Sequence, residues 1–317
     1  MLVTRGIERL REGPVGAPSV VSVGVFDGVH RGHLAILRAN LVRAAELEAC
    51  PTVVTFRGHP KALLLGRAPQ TLTSLEHRLE LFSQAGIEHA VVLEFDEDLR
   101  TMDAERFTTE ILVGALSTRA FVLGFDSKFG RDRKGTPELL AAAGHDVQVV
   151  EAVRISGRAV SSTAIREAVT LGDLAAAERM LGRPVTLLGR VVRGDGRGRK
   201  LGFPTANLDL DHELMPPPGV YATRLVRLKT GERHPSVTNI GFRPTVVDDA
   251  PEASIEVHAL ELDADLYGEQ VAVEFVAFLR EERKFDGLPE LEAAIAADVA
   301  AARTELSAPS PNLPPRG

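Results

Sequence analysis

In the first half of the chain, short β-branched runs alternate with stretches whose apolar positions recur every three or four residues. The runs fall at 20–26, 52–56, 90–95, 120–125 and 147–153. After the first of them, Leu34, Leu37, Leu41 and Ala45 share one face of a helix, and Phe107, Ile111 and Leu112 do the same further on. Strands alternating with helices predict a mainly parallel sheet with helices on both faces. Sites in such sheets lie beyond the carboxyl ends of the strands. Two short helices close this half. One covers 163–170, with Ser161 or Ser162 able to cap it; the next is N-capped by Asp173 and ends near Leu181 and Gly182.

After Pro184 the pattern changes. Short alternating runs at 185–192, 220–228, 235–240, 253–260 and 270–279 are separated by Gly, Pro and Asp turns. This predicts an antiparallel barrel or sandwich. A helix over 288–306 follows, with Leu291, Ile295, Val299 and Ala302 as its buried stripe. The expected class is therefore α/β plus all-β, with domains at 1–183 and 184–306. Residues 307–317 are Pro/Ser-rich, lack an apolar period and are expected to be disordered.

Composition narrows the choice of function. The chain has 317 residues, 44% hydrophobic and 26% charged, enough for two cores. Its net charge of −7 argues against a broad nucleic-acid surface, so an anionic ligand must be held by local clusters. The single cysteine, Cys50, excludes an internal disulfide and a cysteine-based metal site; at the end of a predicted helix it reads as a small apolar residue. There is no apolar leader at the start and no run of membrane-spanning length, so the expected location is the cytoplasm, with no membrane partner. Oligomeric state stays open.

The first chemical signal is Gly24-Val-Phe-Asp-Gly-Val-His-Arg-Gly-His33, directly after the first strand. Gly24, Gly28 and Gly32 let backbone approach a ligand or take positive φ. The helix beginning near His33 points its free N–H groups at that loop, which makes a phosphate site. His30 and His33 can donate to phosphate oxygens as charge builds. A metal site is less suited, because no carboxylate or third histidine stands at supporting spacing. Asp27 can orient a histidine or hold the loop.

This stretch resembles the His-x-Gly-His signature of the nucleotidyltransferase superfamily, and more closely that of the bacterial bifunctional riboflavin kinase/FAD synthetases. Thr55-Phe-Arg-Gly-His-Pro60, Gly124-Phe-Asp-Ser-Lys-Phe-Gly130 and Ser161-Ser-Thr-Ala-Ile-Arg166 resemble further segments of that family, in the same order. The resemblance implies a Rossmann-like nucleotidyltransferase domain that adenylylates FMN to FAD and releases pyrophosphate. His30 and His33 would bind the triphosphate and stabilise the pentacovalent α-phosphorus. Arg166 would join them, its fork gripping phosphate oxygens. Gly24, Phe26, Gly28, Gly32, Ser162 and Thr163 would complete the ATP site. His59, Asp126 and Phe129 would face the flavin. Ser127 stands where the family usually has an aromatic, and Gly58 where proline is common.

The second signal is Gly194-Asp-Gly-Arg-Gly-Arg-Lys-Leu-Gly-Phe-Pro-Thr-Ala-Asn207. Gly194, Gly196 and Gly198 with Arg199 form a cationic loop able to wrap phosphate through backbone N–H groups. Thr205 and Asn207 lie on one face of an extended segment and offer hard oxygen ligands suited to Mg²⁺ held with phosphates. This stretch resembles the signature of riboflavin kinases, as do Gly219-Val-Tyr-Ala222, Asn239-Ile-Gly-Phe-Arg-Pro-Thr245, Ile255-Glu-Val-His258 and Asp265-Leu-Tyr-Gly268. The resemblance implies a kinase barrel with Glu256 as the base for the riboflavin 5′-hydroxyl. By period two, Glu256 shares a face with Ser254 and His258. The run from Arg280 to Lys284 reads as a solvated turn.

Riboflavin, FMN, FAD and ATP are thus the expected partners, with Mg²⁺ as the ion. An N-terminal half serving another phosphate-bearing acceptor fits less well, since both halves make sense on one flavin. A flavin-binding regulator without catalysis would not need His30, His33, Arg166, Thr205, Asn207 and Glu256 together. A nucleic-acid-binding barrel would want exposed aromatics on its strands, and the chain has no tryptophan and two tyrosines.

Overall fold

The computed structural model describes residues 1–12, 17–58, 69–194, 198, 201–210, 214–243 and 252–307. His59, Gly196, Arg199 and the tail from residue 308 lie outside these; Ser307 ends the last helix. The chain forms two compact units, 1–162 and 163–317.

The first unit is built on six strands: β1 (Leu2–Arg5), β2 (Ser19–Val23), β3 (Cys50–Phe56), β4 (His89–Leu93), β5 (Thr118–Gly124) and β6 (Val147–Val150). All pair in parallel, in the order β1-β4-β3-β2-β5-β6. The expected parallel sheet is present, with an edge strand, β1, that four residues are too few to announce. Helices α1 (Ile7–Arg11), α2 (Arg31–Glu46), α3 (Leu75–Gln84), α4 (Glu97–Thr101), α5 (Ala104–Arg106) and α6 (Pro137–Ala142) accompany it. A π-helix, Phe107–Ala115, continues α5; its wide turns bring Phe107, Ile111 and Leu112 onto the core together. Two cores flank the sheet: Val21, Val54, Leu93 and Phe121 point to the π-helix side, and Val53, Ala90 and Val92 to α2 and α3. Cys50 opens β3 rather than ending a helix; burial pushes its thiol up, as suits a packing residue. A small hairpin, β7 (Arg154–Ile155) and β8 (Arg158–Ala159), ends the unit.

The second unit opens with α7 (Ser162–Thr170), whose first residue closes unit one, and α8 (Leu174–Leu181). The expected caps of α8 are there: Asp173 accepts from Ala176 N–H at 2.9 Å, and Gly182 takes the left-handed conformation at φ 79°. Then β9 (Val185–Val192), β10 (Ala206–Leu210), β11 (Gly219–Arg227), β12 (Arg233–Arg243), β13 (Glu252–Ala259) and β14 (Gln270–Arg280) close into an antiparallel barrel in the order β10-β13-β12-β11-β14-β9. Alternation sorts the faces. Tyr221, Thr223, Ser236 and Thr238 are buried, and the last three share hydroxyl hydrogen bonds at 2.7–2.8 Å. Burial pushes the Tyr221 phenol up to about 12. The alternate residues Val220, Ala222 and Val237 pack outward on the terminal helix α9 (Leu288–Ser307). The buried row of α9 is Ala294, Asp298 and Ala302, with Val299 beside it. Asp298 is there because Arg280 meets it with two hydrogen bonds of 2.8 Å. Arg280 is therefore the clamp of α9 and no part of a solvated turn.

Candidate active sites

In the first unit, the loop 24–30 leaves β2 and enters α2 through His30 as N-cap. The sheet order places β3, β4 and β1 on one side of β2, and β5 and β6 on the other. The loop therefore stands at the switch point between β2 and β5, where such sheets open a crevice. The N-terminus of the sixteen-residue α2, the positive end of its dipole, faces that loop.

The loop is strained and pinned. Phe26 and Val29 have φ of 52° and 37°, in the region glycine prefers, and Gly28 has 83°. Asp27, 3% exposed, accepts from the N–H of Leu72 at 2.9 Å and of Thr73 at 3.1 Å. Thr73 Oγ1 accepts in turn from Gly28 N–H at 3.0 Å. The loop-holding role open to Asp27 from sequence is thus present. Arg78, also buried, donates to the carbonyls of Val25 at 2.6 Å and Phe56 at 3.0 Å, and so joins the ends of β2 and β3. Burial pushes its guanidinium down from its ordinary value, with the carboxylates of Asp27 and Glu76 opposing the shift. Asn40 ties α2 to the sheet through Val20 O, Ser22 Oγ and Thr52 O. Sequence reading missed Thr73, Arg78 and Asn40. Only Asn40 leaves a local trace, a polar residue on the apolar face of α2 between Leu37 and Ala44.

On this base the two imidazoles stack, with centroids 3.6 Å apart and planes 15° from parallel. His30 Nδ1 accepts from His33 N–H at 3.3 Å, which leaves Nε2 of a neutral His30 as the N–H donor. The His33 ring sits edge-on to Phe26 at 5.1 Å, and Phe26 edge-on to Phe82 at 5.5 Å. A Cβ at Gly32 would press on the His30 ring at 3.2 Å, and one at Gly24 would meet Phe26 at 3.1 Å. Ser162 Oγ donates to Asp27 O at 2.9 Å, tying Ser162 to the histidine loop within the first unit. Thr163 and Arg166 belong to the second unit. On the flavin side of the expectation, Asp126 and Phe125 are exposed in the turn after β5, where Gly124 lies against Ile36 of α2. Phe129 is 7% exposed, inside the core against Phe107 and under Gly135. Thr55 donates to Val25 O at 3.1 Å.

In the second unit, the ladder sets Asn207 of β10 directly opposite Glu256 of β13, and Asn239 of β12 opposite Glu256 on its other side. Glu256 and His258 share the face that carries α9, because His258 is paired with Val237. The glycine loop is fitted to the two expected metal ligands. A Cβ at Gly194 would fall 2.1 Å from Asn207 Nδ2, and one at Gly198 would fall 3.1 Å from Thr205 Oγ1. Only glycine lets the backbone lie that close. Gly198 O accepts from the N–H of Leu201 and Phe203, which holds Gly198 against the segment leading to Thr205. Thr205 also lines a cleft of ≈ 280 Å³ with Val191, Val257, Leu266 and Tyr267, and Arg193 lies 5.6 Å above the Tyr267 ring.

Among the described residues there is no cluster of three or more His, Cys, Asp or Glu able to hold a metal, and no helix long and apolar enough to cross a membrane. An ion held by Thr205 and Asn207 together with phosphates is a different kind of site. Two oxygen-bearing side chains under a backbone cradle fit a small hard cation that keeps its other positions for phosphate and water.

Residues 14–164 match the FAD synthetase family model and residues 181–306 the riboflavin kinase model. A bifunctional riboflavin kinase/FMN adenylyltransferase of Pseudomonas fluorescens is 40% identical over 98% of this chain and 99% of that protein. Its counterpart in Escherichia coli K12 is 37% identical over 96% and 97%. A solved Streptococcus pneumoniae structure, described as a macrolide-efflux protein, superposes with a TM-score of 0.84 at 30% identity over 96% of this chain and 99% of that one. With two family models in tandem and full-length relatives at this identity, the chain belongs to the bifunctional riboflavin kinase/FMN adenylyltransferase family.

Proposed function

We propose that the two activities of this family occupy two separate sites in this chain. Residues 184–306 phosphorylate riboflavin to FMN, and residues 1–183 adenylylate FMN to FAD. The observation that carries this division is that each chemical pair is assembled within one unit: His30 on His33 in the first, Glu256 beside Asn207 in the second.

In the first reaction, Glu256 takes the proton of the riboflavin 5′-hydroxyl as that oxygen attacks the γ-phosphorus, and ADP leaves. Gly194, Gly196, Gly198 and Arg199 wrap the phosphates, and Thr205 with Asn207 hold Mg²⁺. When bound, the ion neutralises phosphate charge. The cleft beside Tyr267 takes the nucleoside. In the second reaction an FMN phosphate oxygen attacks the α-phosphorus of ATP and pyrophosphate leaves. His30 and His33 donate to the phosphoryl oxygens as charge grows, backed by the N-terminus of α2. The loop of Gly24, Phe26, Gly28 and Gly32 shapes the floor, and Ser162, Thr163 and Arg166 hold the β- and γ-phosphates. No covalent enzyme intermediate is required; the protein positions and neutralises. His59 and Asp126 face the flavin, while the buried Phe129 acts by supporting the loop that carries Asp126. The reactions use cytoplasmic ATP.

A time course with riboflavin, ATP and Mg²⁺, resolved by chromatography, tests this reading. FMN should appear first and FAD after it. FMN that accumulates without FAD would mean that the first unit takes a different phosphate-bearing acceptor.

A further inference from the structure

His258 lies outside the groups given a chemical role above, yet it touches the segment that carries them. Its Nδ1 is 2.8 Å from Pro204 O, and its ring stands edge-on to Phe203 at 5.7 Å. A carbonyl only accepts, so Nδ1 is the donor. The ladder between β10 and β13 pairs Ala206 with Val257; one residue further, Thr205 lies level with His258. The Pro204 carbonyl is thus just beyond the strand pairing, and a side chain rather than the strand takes it.

The consequence follows from the peptide plane. Pro204 O and Thr205 N belong to one rigid unit. Fixing the oxygen fixes the plane from which Thr205 hangs, leaving its φ and χ1 as the remaining soft torsions. On the other side Gly198 carries no side chain, so its backbone lies close to Thr205; a Cβ there would come within 3.1 Å of Thr205 Oγ1. His258 and Glu256 stand two apart on one strand, facing the same way. One strand therefore carries both the base and the group that sets the segment of Thr205 and Asn207.

We propose that His258 is a positioning residue of the kinase site: its Nδ1–H holds the Pro204 carbonyl and so presents Thr205 and Asn207 to the Mg²⁺ of Mg-ATP. This rests on the assignment of those two residues as its ligands. Groups that orient ligands in this way are typically worth about 10–100-fold in metal affinity.

Three variants test it. His258→Leu keeps the bulk and removes the donor. His258→Asn returns a donor close to the Nδ1 position. Thr205→Ala removes the ligand itself. Each is titrated with Mg-ADP by calorimetry, and the Mg²⁺ half-saturation of riboflavin phosphorylation is measured alongside. Heat from the N-terminal site is common to all and cancels in the comparison. His258→Leu should weaken Mg-ADP and raise the Mg²⁺ half-saturation about tenfold, with FAD formation from FMN unchanged. His258→Asn should recover most of the loss. A role in packing alone predicts the reverse order, because Leu fills the space better than Asn; that order, or Mg²⁺ dependence unchanged in His258→Leu, overturns the inference. If Thr205→Ala also leaves Mg²⁺ dependence unchanged, the ligand assignment falls with it. A shift in Thr205→Ala without one in His258→Leu overturns the role of His258 alone.

Discussion

At the scale of single residues, the two sites depend on backbone lying where only glycine fits. Gly194→Ala would place a methyl into the Asn207 amide. It should lower riboflavin phosphorylation on the order of a hundredfold, the cost of about 1 Å of misplacement, and leave FAD formation from supplied FMN unchanged; steady-state assays of the two half-reactions check this. Asp27→Ala strands the N–H groups of Leu72 and Thr73. It should cost about 1–3 kcal/mol in urea unfolding and reduce FAD formation while FMN formation persists. The histidine loop was legible in sequence because its residues are local: a strand, glycines and a helix start within ten positions. The grip of Asp27 and Arg78 on that loop was not, because their partners lie 45 and 53 positions away. A core place for Phe129 was open from sequence, but its partner Phe107 was not legible, since it comes from another element.

Among the elements, α9 shows how a correct period can carry an incomplete face. The apolar positions mark the helix, but Asp298 occupies the middle of the buried row, where only its partner Arg280 makes a charge tolerable. The pair is half-open, with Arg280 25% exposed against 9% for Asp298. Asp298→Ala should therefore cost about 2–3 kcal/mol in urea unfolding, less than the 3–5 of a fully buried pair. The same logic applies to β1, which the reading missed. Thr4 Oγ1 and His89 Nε2 are hydrogen-bonded at 2.9 Å where β1 meets β4, and burial pushes His89 below its ordinary value. The unfolded chain then binds this proton more readily than the folded one. Its contribution to stability is present above the unfolded value near 6.5 and is lost as pH falls toward the depressed value. The drop in melting temperature between pH 7 and 5 should be smaller in His89→Gln than in the parent; an equal drop would assign the acid sensitivity elsewhere.

For the molecule as a whole, the change of period near Pro184 marked the start of the barrel, and β9 begins at Val185. The two layers of architecture were legible because strand–helix alternation and strand–turn alternation are whole-segment patterns. What each half does was legible because the chemical residues are gathered in short runs. The central claim is that the two reactions are separable within one chain, and reciprocal variants test it most directly. Purified His33→Ala and Glu256→Gln, each shown to be folded by circular dichroism, are given ATP and Mg²⁺ with either riboflavin or FMN. His33→Ala should convert riboflavin to FMN at the parental rate and form FAD about 10²–10⁴-fold more slowly. Glu256→Gln should form FAD from FMN normally and fail on riboflavin. Loss of both activities in both folded variants would contradict two separate sites.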